Sequence, residues 1–367
     1  MSHWLTAPVW ISAAVTMAAM VSLRVVAVRL GLLDRPAGHK RHQGAIPVVG
    51  GLAMFIGLAV AVLLTPAGGF DAAVFVVGAA ILVVVGALDD TFTLPSWLRL
   101  VAHTSAALWL YSLSTSAGVR LTSLGNLLGT GVLDVSAFAP LATVFVIVAG
   151  INAFNMLDGL DGLAGGVALV ALLLLLTALP HSLAPTLAQI ALALVGALGA
   201  FLLFNAPLGL NRRWRSFMGD AGSTVLGFAL ATILLGSSQG IGRLAAPITM
   251  VWLVLVPATD LWCSTLRRAL RGQSPFHADN EHLHHMLMAA GLSARATCAV
   301  LVLVALLGGL AGLALERAGA PEWLSLLLLL LAGWGLAAVA YVLRGLRQRA
   351  AGTANGGRLA GGAQRPG

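Results

Sequence analysis

Runs of about 20 apolar residues recur along the whole chain, and no other feature of the sequence restricts the fold as strongly. Each run is long enough to cross the hydrocarbon core of a bilayer as a helix. Of the 367 residues, 59% are hydrophobic and 9% are charged, which is more apolar surface than one soluble core can bury. We therefore predict an all-α integral membrane protein with about eleven transmembrane helices. The predicted spans are residues 4–23, 46–66, 70–88, 97–115, 139–156, 160–180, 184–204, 221–237, 243–263, 295–315 and 322–343.

The distribution of Lys and Arg predicts the orientation, because positively charged loops are retained in the cytoplasm. With the N-terminus outside and the C-terminus in the cytoplasm, all 21 of these residues except Arg120, Arg243 and Arg317 fall on the cytoplasmic face. Residues 1–349 are expected to form a single polytopic transmembrane domain. Residues 350–367, which are rich in Gly, Ala and Arg, are expected to form a disordered cytoplasmic tail.

The net charge of +8 is explained by this cytoplasmic face. It does not indicate a nucleic-acid surface, since no basic stretch is interleaved with aromatic residues that could stack on bases. Cys263 and Cys298 fall near predicted cytoplasmic helix ends, where thiols stay reduced, so no disulfide is expected. The sequence thus predicts the lipid bilayer, and no nucleic acid, as a partner.

Polar residues are concentrated at residues 150–166, where one apolar run ends and the next begins. The stretch holds two amides, Asn152 and Asn155, and two carboxylates, Asp158 and Asp161. If it is helical, Asn155, Asp158 and Asp161 lie within about 120° of one face and roughly 9 Å from end to end. Such a polar stripe at a membrane boundary predicts a functional site.

The densest basic segment is residues 33–51, between the first two predicted spans. In isolation it is explained by a positive-inside loop that contacts anionic lipid head groups. The alternative is a phosphate-binding site, in which Lys40, His42 and the backbone amides of Gly50 and Gly51 face an anion at a helix start.

Two further acidic motifs lie at predicted helix ends. Asp89 and Asp90 end the third span, and because adjacent carboxylates repel, either solvent or a shared cation, partner or proton is expected there. Arg99 and His103, further along the chain, are either interfacial residues or phosphate ligands. Asp220 precedes the eighth span between glycines, and it is either a helix cap or a metal ligand that bridges to a diphosphate.

Four histidines fall close together, at His277, His282, His284 and His285. Their spacing fits neither the His-Glu-x-x-His nor the His-x-x-Glu-His pattern of zinc enzymes. An incidental basic loop and a metal-storage loop remain as alternatives. Imidazoles that contact phosphate groups fit the sequence best.

Nine of the 13 acidic residues lie on the predicted cytoplasmic face. With Lys, Arg and His side chains and the apolar wall of the membrane, they predict a site that joins a water-soluble phosphate ester to a lipid phosphate. A proton-coupled transporter is the main alternative, but its charges would lie near the bilayer midplane on several spans. A non-catalytic scaffold for envelope assembly is a further alternative, and it has no need of aligned acids.

Five sequence blocks occur in order between about residues 30 and 290. They are Asp34-Arg-Pro to Gly50-Gly51, Gly86-Ala-Leu-Asp89-Asp90, Asn152 to Gly166, Phe217-Met-Gly-Asp220-Ala-Gly-Ser and Glu281-His-Leu-His-His285. Together they resemble the polyprenyl-phosphate N-acetylhexosamine-1-phosphate transferases (glycosyltransferase family 4), which include phospho-N-acetylmuramoyl-pentapeptide transferase. The last block and the basic loop before Phe217 are most similar to the bacterial UDP-N-acetylglucosamine:undecaprenyl-phosphate N-acetylglucosamine-1-phosphate transferases.

The resemblance implies an activity. An N-acetylhexosamine 1-phosphate, most readily that of N-acetylglucosamine, would pass from its UDP derivative to undecaprenyl phosphate with release of UMP. This reaction would start the lipid-linked synthesis of an envelope polysaccharide such as O antigen. The resemblance further implies dependence on Mg²⁺ or Mn²⁺ and an active site at the cytoplasmic face of the bacterial inner membrane, and it leaves a homodimer open as the assembly.

The same resemblance implies roles for individual residues. Asp220 is the expected metal ligand. The expected catalytic residues are Asp89, Asp90, Asp158, Asp161, His282, His284 and His285. The expected substrate-binding residues are Lys40, His42, Arg99, Asn152, Asn155 and Asn205. Direct attack by the lipid phosphate and a phospho-aspartate intermediate both remain open.

Overall fold

Helices dominate the computed structural model, which describes residues 6–30, 33–34, 46–65, 69–115, 119–178, 184–206, 214–240, 243–274 and 281–361. The helices are α1 (Ala7–Leu30), α2 (Gly50–Leu64), α3 (Gly69–Phe92), α4 (Ser96–Leu113), α5 (Ala139–Leu157), α6 (Leu163–Ala178), α7 (Pro185–Asn205), α8 (Gly219–Ser238), α9 (Pro247–Leu253), α10 (Leu255–Leu270), α11 (Leu283–Ala289), α12 (Ala294–Arg317) and α13 (Glu322–Gly361). A short antiparallel ribbon pairs β1 (Leu33–Asp34) with β2 (Ile46–Pro47).

The prediction of an all-α membrane protein is confirmed, whereas the count of eleven spans is not. Within the described ranges, seven helices are long and apolar enough to cross a membrane, namely α1, α3, α5, α7, α8, α12 and α13. The pair α9–α10, which is bent by 92°, adds an eighth span if it crosses as one unit. The helices α2 and α6 have 15 and 16 residues, and α4 is less apolar because Arg99 and His103 lie on it.

The helix α8 lies at the centre of the bundle. In the most apolar 18-residue stretch of α8, 89% of the residues are buried, whereas the corresponding figure for α13 is 17%. The helix α8 packs against α2, α3, α5 and α7. Small residues bring the backbones together: Gly51 of α2 packs on Gly222, and Gly86 of α3 packs on Ala221. Close approach of this kind is how membrane helices gain van der Waals contact. The first turn of α8 is therefore held between two other helices.

Gly51→Ala is expected to destabilise the protein by about 1–3 kcal/mol, because overpacking forces the two helices apart. A methyl group on Gly51 would overlap the backbone nitrogen and Cα of Gly222. Thermal unfolding in detergent measures the effect. Gly199→Ala is the control, since a methyl group there meets no described atom within 4 Å. Equal unfolding midpoints for the two variants would contradict the contact.

The backbone amides of Gly50 and Gly51 are not open to an anion, as the phosphate-site alternative for this segment requires. The N–H of Gly50 donates to the carbonyl oxygen of Phe217 (3.0 Å), and the N–H of Gly51 donates to that of Met218 (2.9 Å). The first N–H groups of a helix have no acceptor within the helix, and here the segment before α8 supplies it. That alternative is therefore wrong for the two amides, which join α2 to α8 instead.

Hydrogen bonds close one end of the bundle. Asp71, at the start of α3, accepts the backbone N–H of Thr115 (2.7 Å) after the end of α4. Glu322, at the start of α13, accepts the backbone N–H of Asn126 (2.6 Å). The acidic motifs singled out in the sequence lie at the other end, where α3 and α5 finish and α8 begins.

The division of the chain into a domain and a tail stays a prediction, as do the orientation and the homodimer. The helix α13 runs to Gly361 and so overlaps the segment 350–367 that was expected to be disordered. Residues 362–367 lie outside the described residues.

Candidate active site

Asp90 and Asp220 connect the end of α3 to the start of α8. Oδ1 of Asp90 accepts the N–H of Asp220 (2.9 Å), and Oδ2 accepts the N–H of Ala221 (3.4 Å). The open N–H groups at a helix start carry partial positive charge, which stabilises a carboxylate there. Gly219 has a φ of 71°, and a Cβ at this residue would lie 2.5 Å from Oδ2 of Asp90. Asp90, and not Asp220, is therefore the residue that caps α8.

Asn155 joins a third helix to this pair. It lies in the last turn of α5, and its Nδ2 donates to Oδ1 of Asp220 (2.7 Å) and to Oγ of Ser223 (3.0 Å). Three helices that are distant in sequence thus meet at Asp220, through its backbone N–H and its carboxyl group.

Asp89 is buried beside the same carboxyl group. Its Oδ1 accepts the backbone N–H of Leu94 (2.6 Å), and its Oδ2 accepts from Nη1 of Arg99 (3.2 Å). Between Asp89 and Leu94 the chain turns at Thr93, whose φ of 53° is a strained conformation for a β-branched residue. The carboxyl groups of Asp89 and Asp220 lie within hydrogen-bonding reach of each other. Two such groups repel unless they share a proton or a cation.

The segment between α5 and α6 is a turn and not a helix. α5 ends at Leu157, and Gly162 has a φ of 76°, a conformation that only glycine adopts readily. The predicted helical stripe of Asn155, Asp158 and Asp161 is therefore wrong.

Asn205, which was predicted to bind substrate, holds this turn in place. It is 6% exposed, its Oδ1 accepts the N–H of Gly162 (2.7 Å), and its Nδ2 donates to the carbonyl oxygen of Ser216 (2.9 Å). The amide of Asn205 therefore positions the turn, and its predicted role in substrate binding stays a prediction.

The two carboxylates of the turn have different surroundings. Asp161 forms an ion pair with Arg215. Burial raises the pKa of Asp158 well above its ordinary value of 3.8, and the negative charges of Asp220, Asp90 and Asp161 raise it further. The charge of Asp158 is therefore coupled to those of Asp90 and Asp220. We call Asp89, Asp90, Asp158 and Asp220 together the acidic centre.

Asp158→Asn is expected to unfold at a higher temperature than the unaltered protein at pH 8 with chelator present, by roughly 2–4 °C. The raised pKa means that the folded protein keeps a proton that the unfolded chain loses, so stability falls as pH rises from about 4 through the raised pKa. The gain should therefore shrink towards pH 4.

The matched control for this measurement is Asp134→Asn. Hydrogen bonds from the backbone N–H and hydroxyl of Ser136 lower the pKa of the exposed Asp134, so its replacement should give no gain at pH 8. An unfolding midpoint for Asp158→Asn that is unchanged or lower at pH 8 would contradict the proposed cost of ionising Asp158 beside the other acids.

The helix α11 places the histidines against the α5–α6 turn. Nδ1 of His282 lies 3.1 Å from Oδ2 of Asp260, and the rings of His284 and His285 have centroids 4.1 Å apart. A Cβ on Gly159 would overlap Nε2 of His284. The absence of a side chain at Gly159 therefore allows the histidines to approach the acidic centre.

His284 is neutral at physiological pH. It is 1% exposed, and burial, followed by the charge of His285, lowers its pKa to about 3. Neither of its ring nitrogens is hydrogen-bonded within the described part of the chain. A buried imidazole of this kind has one N–H and one lone pair to offer to a bound molecule.

For the remaining residues predicted to bind phosphate or substrate, the structure gives a position but no hydrogen bond to the acidic centre, or gives no description. Nδ2 of Asn152 donates to the carbonyl oxygen of Val148, one turn earlier in α5 (2.7 Å). His103 is 7% exposed within α4. Lys40 and His42 lie outside the described residues.

Sequence reasoning assigned no role to Arg215, Ser223 or Asp260. Arg215 lies just before the Phe217–Ser223 block and Ser223 is its last residue. Their contacts with Asp161 and Asn155 depend on tertiary structure. The sequence could have indicated a role for Asp260, because an acid at the end of a predicted membrane span is costly and is usually retained for a function.

The acidic centre fits a divalent cation that binds together with its substrate. Among the described residues, no group of three His, Cys, Asp or Glu side chains is arranged to hold a metal ion. Mg²⁺, however, is commonly held by one or two carboxylates plus substrate phosphates. The adjacent carboxyl groups of Asp89 and Asp220, with Asp158 beside them, supply oxygen ligands of that kind.

The apolar helices, the acidic centre at one end of the bundle and the buried histidines define a polytopic membrane protein with a polar site at that end. The family model for glycosyl transferase family 4 matches residues 72–238. The chain belongs to this family, and the family predicted from the sequence blocks is confirmed.

Three relatives carry the name undecaprenyl-phosphate alpha-N-acetylglucosaminyl 1-phosphate transferase. The relative from Yersinia pestis is 37% identical over 318 residues, which cover 86% of each chain. Those from Salmonella typhi and Escherichia coli strain K12 are 36% and 34% identical over 310 residues, which cover 84% of this chain and 83% of theirs.

Proposed function

We propose that this protein transfers N-acetylglucosamine 1-phosphate to undecaprenyl phosphate. The observation that carries the proposal is the meeting of α3, α5 and α8 at Asp220, whose backbone N–H donates to Asp90 of α3 and whose carboxyl group accepts from Asn155 of α5, at one end of a membrane-embedded bundle. A relative that matches this chain over 86% of its length and is named for that transfer supports this choice of sugar and acceptor.

The proposed donor is UDP-N-acetylglucosamine. A phosphate oxygen of undecaprenyl phosphate attacks the β-phosphorus of the donor, the bond from that phosphorus to the bridging oxygen breaks, and UMP leaves. The products are undecaprenyl diphosphate N-acetylglucosamine and UMP. Asp89 and Asp90 already accept hydrogen bonds from Leu94, Arg99 and the first turn of α8, which supports direct attack over a phospho-aspartate intermediate.

In this mechanism the acidic centre binds a Mg²⁺ or Mn²⁺ ion through Asp220, aided by Asp89 and Asp158. Such an ion supplies positive charge to the diphosphate of the donor. Asp90 acts by holding the first turn of α8, and Asn155 orients the carboxyl group of Asp220. The histidines of α11 and Arg99 contact phosphate oxygens and stabilise the charge that develops on them.

The proposed location is the cytoplasmic face of the bacterial inner membrane. The product would start a lipid-linked envelope polysaccharide such as O antigen. A lipid acceptor supports a site at the end of the bundle, since the phosphate of such a lipid lies at the membrane boundary while its hydrocarbon stays in the bilayer.

Incubation of the purified protein with radiolabelled UDP-N-acetylglucosamine and undecaprenyl phosphate tests the proposal. We expect Mg²⁺-dependent transfer of label into the organic phase and release of UMP in equal amount. Parallel reactions with UDP-N-acetylgalactosamine and UDP-glucose measure the sugar preference. Reactions without the acceptor, or with chelator, are the controls.

Two outcomes would overturn the proposal. One is the absence of UMP release with every sugar nucleotide tested. The other is uptake of intact UDP-sugar into sealed vesicles without UMP release, which would indicate a transporter instead.

A further inference from the structure

The buried acid Asp260 contacts the start of the histidine segment with both of its oxygens. It is 1% exposed and lies within α10. Its Oδ2 lies 3.1 Å from Nδ1 of His282, and its Oδ1 accepts the backbone N–H of Leu283 (2.8 Å). Two successive residues of one segment are thus held by a single carboxylate from another helix.

The chemistry of this contact determines which nitrogen of His282 carries hydrogen. An ionised carboxylate can only accept hydrogen bonds, so Nδ1 must be the donor towards Oδ2. Ser264 lies further away, with its Oγ 3.5 Å from Nδ1, and does not compete strongly. A histidine held in this way has a fixed tautomer and a fixed ring plane.

The fixed ring also organises its neighbours. The ring of His282 stacks on that of His284 with centroids 5.9 Å apart and planes within 6°. His284 in turn packs on Gly159 in the α5–α6 turn, next to Asp158 of the acidic centre. Asp260 therefore connects, through two imidazole rings, to the place where the proposed function puts the diphosphate.

We propose that Asp260 is a positioning residue for the transferase reaction. It keeps the hydrogen of His282 on Nδ1 and directs Nε2 to the phosphate groups of the sugar-nucleotide donor. This inference rests on the proposed function for the identity of the substrate, but the tautomer it assigns to His282 is independent of the substrate.

Asp260→Asn is the sharpest test, because the amide keeps the shape of the carboxylate. Its oxygen can still accept the N–H of Leu283, and its NH₂ group then faces Nδ1 of His282 and requires a lone pair there. The hydrogen of the imidazole must move to Nε2. We expect kcat to fall about 100-fold, with the KM for UDP-N-acetylglucosamine within about threefold of the original.

A double-mutant cycle separates positioning from mere stabilisation of α11. If Asp260 acts through His282, Asp260→Asn should cause no further loss of kcat in a His282→Ala background. Thr259→Val is the matched control, because Thr259 is the buried neighbour of Asp260 on α10 and the change preserves its shape. It should leave kcat unchanged and should not lower the unfolding midpoint, because the hydroxyl of Thr259 is buried without a hydrogen-bond partner among the described residues.

Nitrogen-15 NMR of ring-labelled histidine in the detergent-solubilised protein supplies a readout that does not need turnover. The His282→Ala spectrum identifies the resonances of His282. We expect the Nδ1–H form in the original protein and the Nε2–H form in Asp260→Asn. If the protein shows no transferase activity, the proposed function fails, and this spectrum still decides the role of Asp260.

Either of two results would overturn the inference. One is an identical tautomer of His282 in the original protein and in Asp260→Asn. The other is a loss of kcat from Asp260→Asn that is equally large with and without His282, which would indicate a general structural role.

Discussion

Asp220→Asn is expected to reduce kcat by at least about 1,000-fold while the protein still inserts and folds. The amide keeps the size of the side chain, and the cap that Asp90 forms on α8 uses the backbone N–H of residue 220, which the substitution leaves in place. What is lost is one of two adjacent carboxyl groups, and with it the oxygen ligand and negative charge that a divalent cation needs. Turnover in detergent micelles over a range of Mg²⁺ concentrations measures the effect.

Asp134→Asn is the control for this change. Asp134 is an exposed acid in the connector before α5, where it accepts the backbone N–H of Ser136 (2.8 Å), so its replacement should leave kcat unchanged. Thermal unfolding of Asp220→Asn should match or exceed that of the original protein, because a repulsive contact is removed. Normal turnover of Asp220→Asn at limiting Mg²⁺ would exclude Asp220 as the metal ligand.

Gly159→Ala is expected to lower kcat by about 100-fold, because a displacement of about 1 Å at a catalytic group is enough for a loss of that size. The added methyl group would overlap Nε2 of His284. His284 is 1% exposed, and the close packing of protein interiors leaves a buried ring little space in which to move. The ring must shift away from the α5–α6 turn, and the phosphate contacts proposed for the histidines should be lost. Steady-state kinetics with UDP-N-acetylglucosamine measure the loss.

A second substitution shows whether the methyl group acts through the histidine. In a His284→Ala background there is room for the methyl group, so Gly159→Ala should cause little further loss. Gly199→Ala, where the methyl group meets no described atom within 4 Å, should retain full activity. Unaltered kinetics for Gly159→Ala would show that the ring moves without cost and that this contact does not position it.

Much of the fold followed from the sequence because the bilayer allows few solutions. A run of apolar residues inside hydrocarbon must satisfy its own backbone hydrogen bonds, which makes it a helix. The apolar runs therefore located the helices well. They did not give the number of crossings, because α2 and α6 have only 15 and 16 residues and α9–α10 bends by 92°, and apolar composition does not predict either feature.

The composition of the acidic centre was predictable, whereas its internal contacts were not. Ordered blocks with Asp89, Asp90, Asp158 and Asp220 stand out in an apolar chain, since ionisable residues there are costly. The role of each acid depends on the residues that it contacts in the folded protein. Nothing local to Asp90 indicates that it caps a helix 130 residues later.

The wrong predictions have local physical reasons. The stripe through Asn155, Asp158 and Asp161 assumed an unbroken helix, but α5 ends at Leu157, before two of the three residues. One alternative for the basic segment left the amides of Gly50 and Gly51 open to an anion, but Phe217 and Met218 supply carbonyl acceptors from a distant segment.

The separation of 130 residues between Asp90 and the amide that it caps has a consequence for biogenesis. Ribosomes deliver Asp90 to the membrane long before α8 is translated, so each nascent chain passes through a stage in which this carboxylate lacks its final donors. Its neighbour Asp89 takes its donors from Leu94 and Arg99 and does not wait for α8. Chains truncated before residue 219 lack the donors of Asp90 altogether and should be recognised and degraded by membrane proteases.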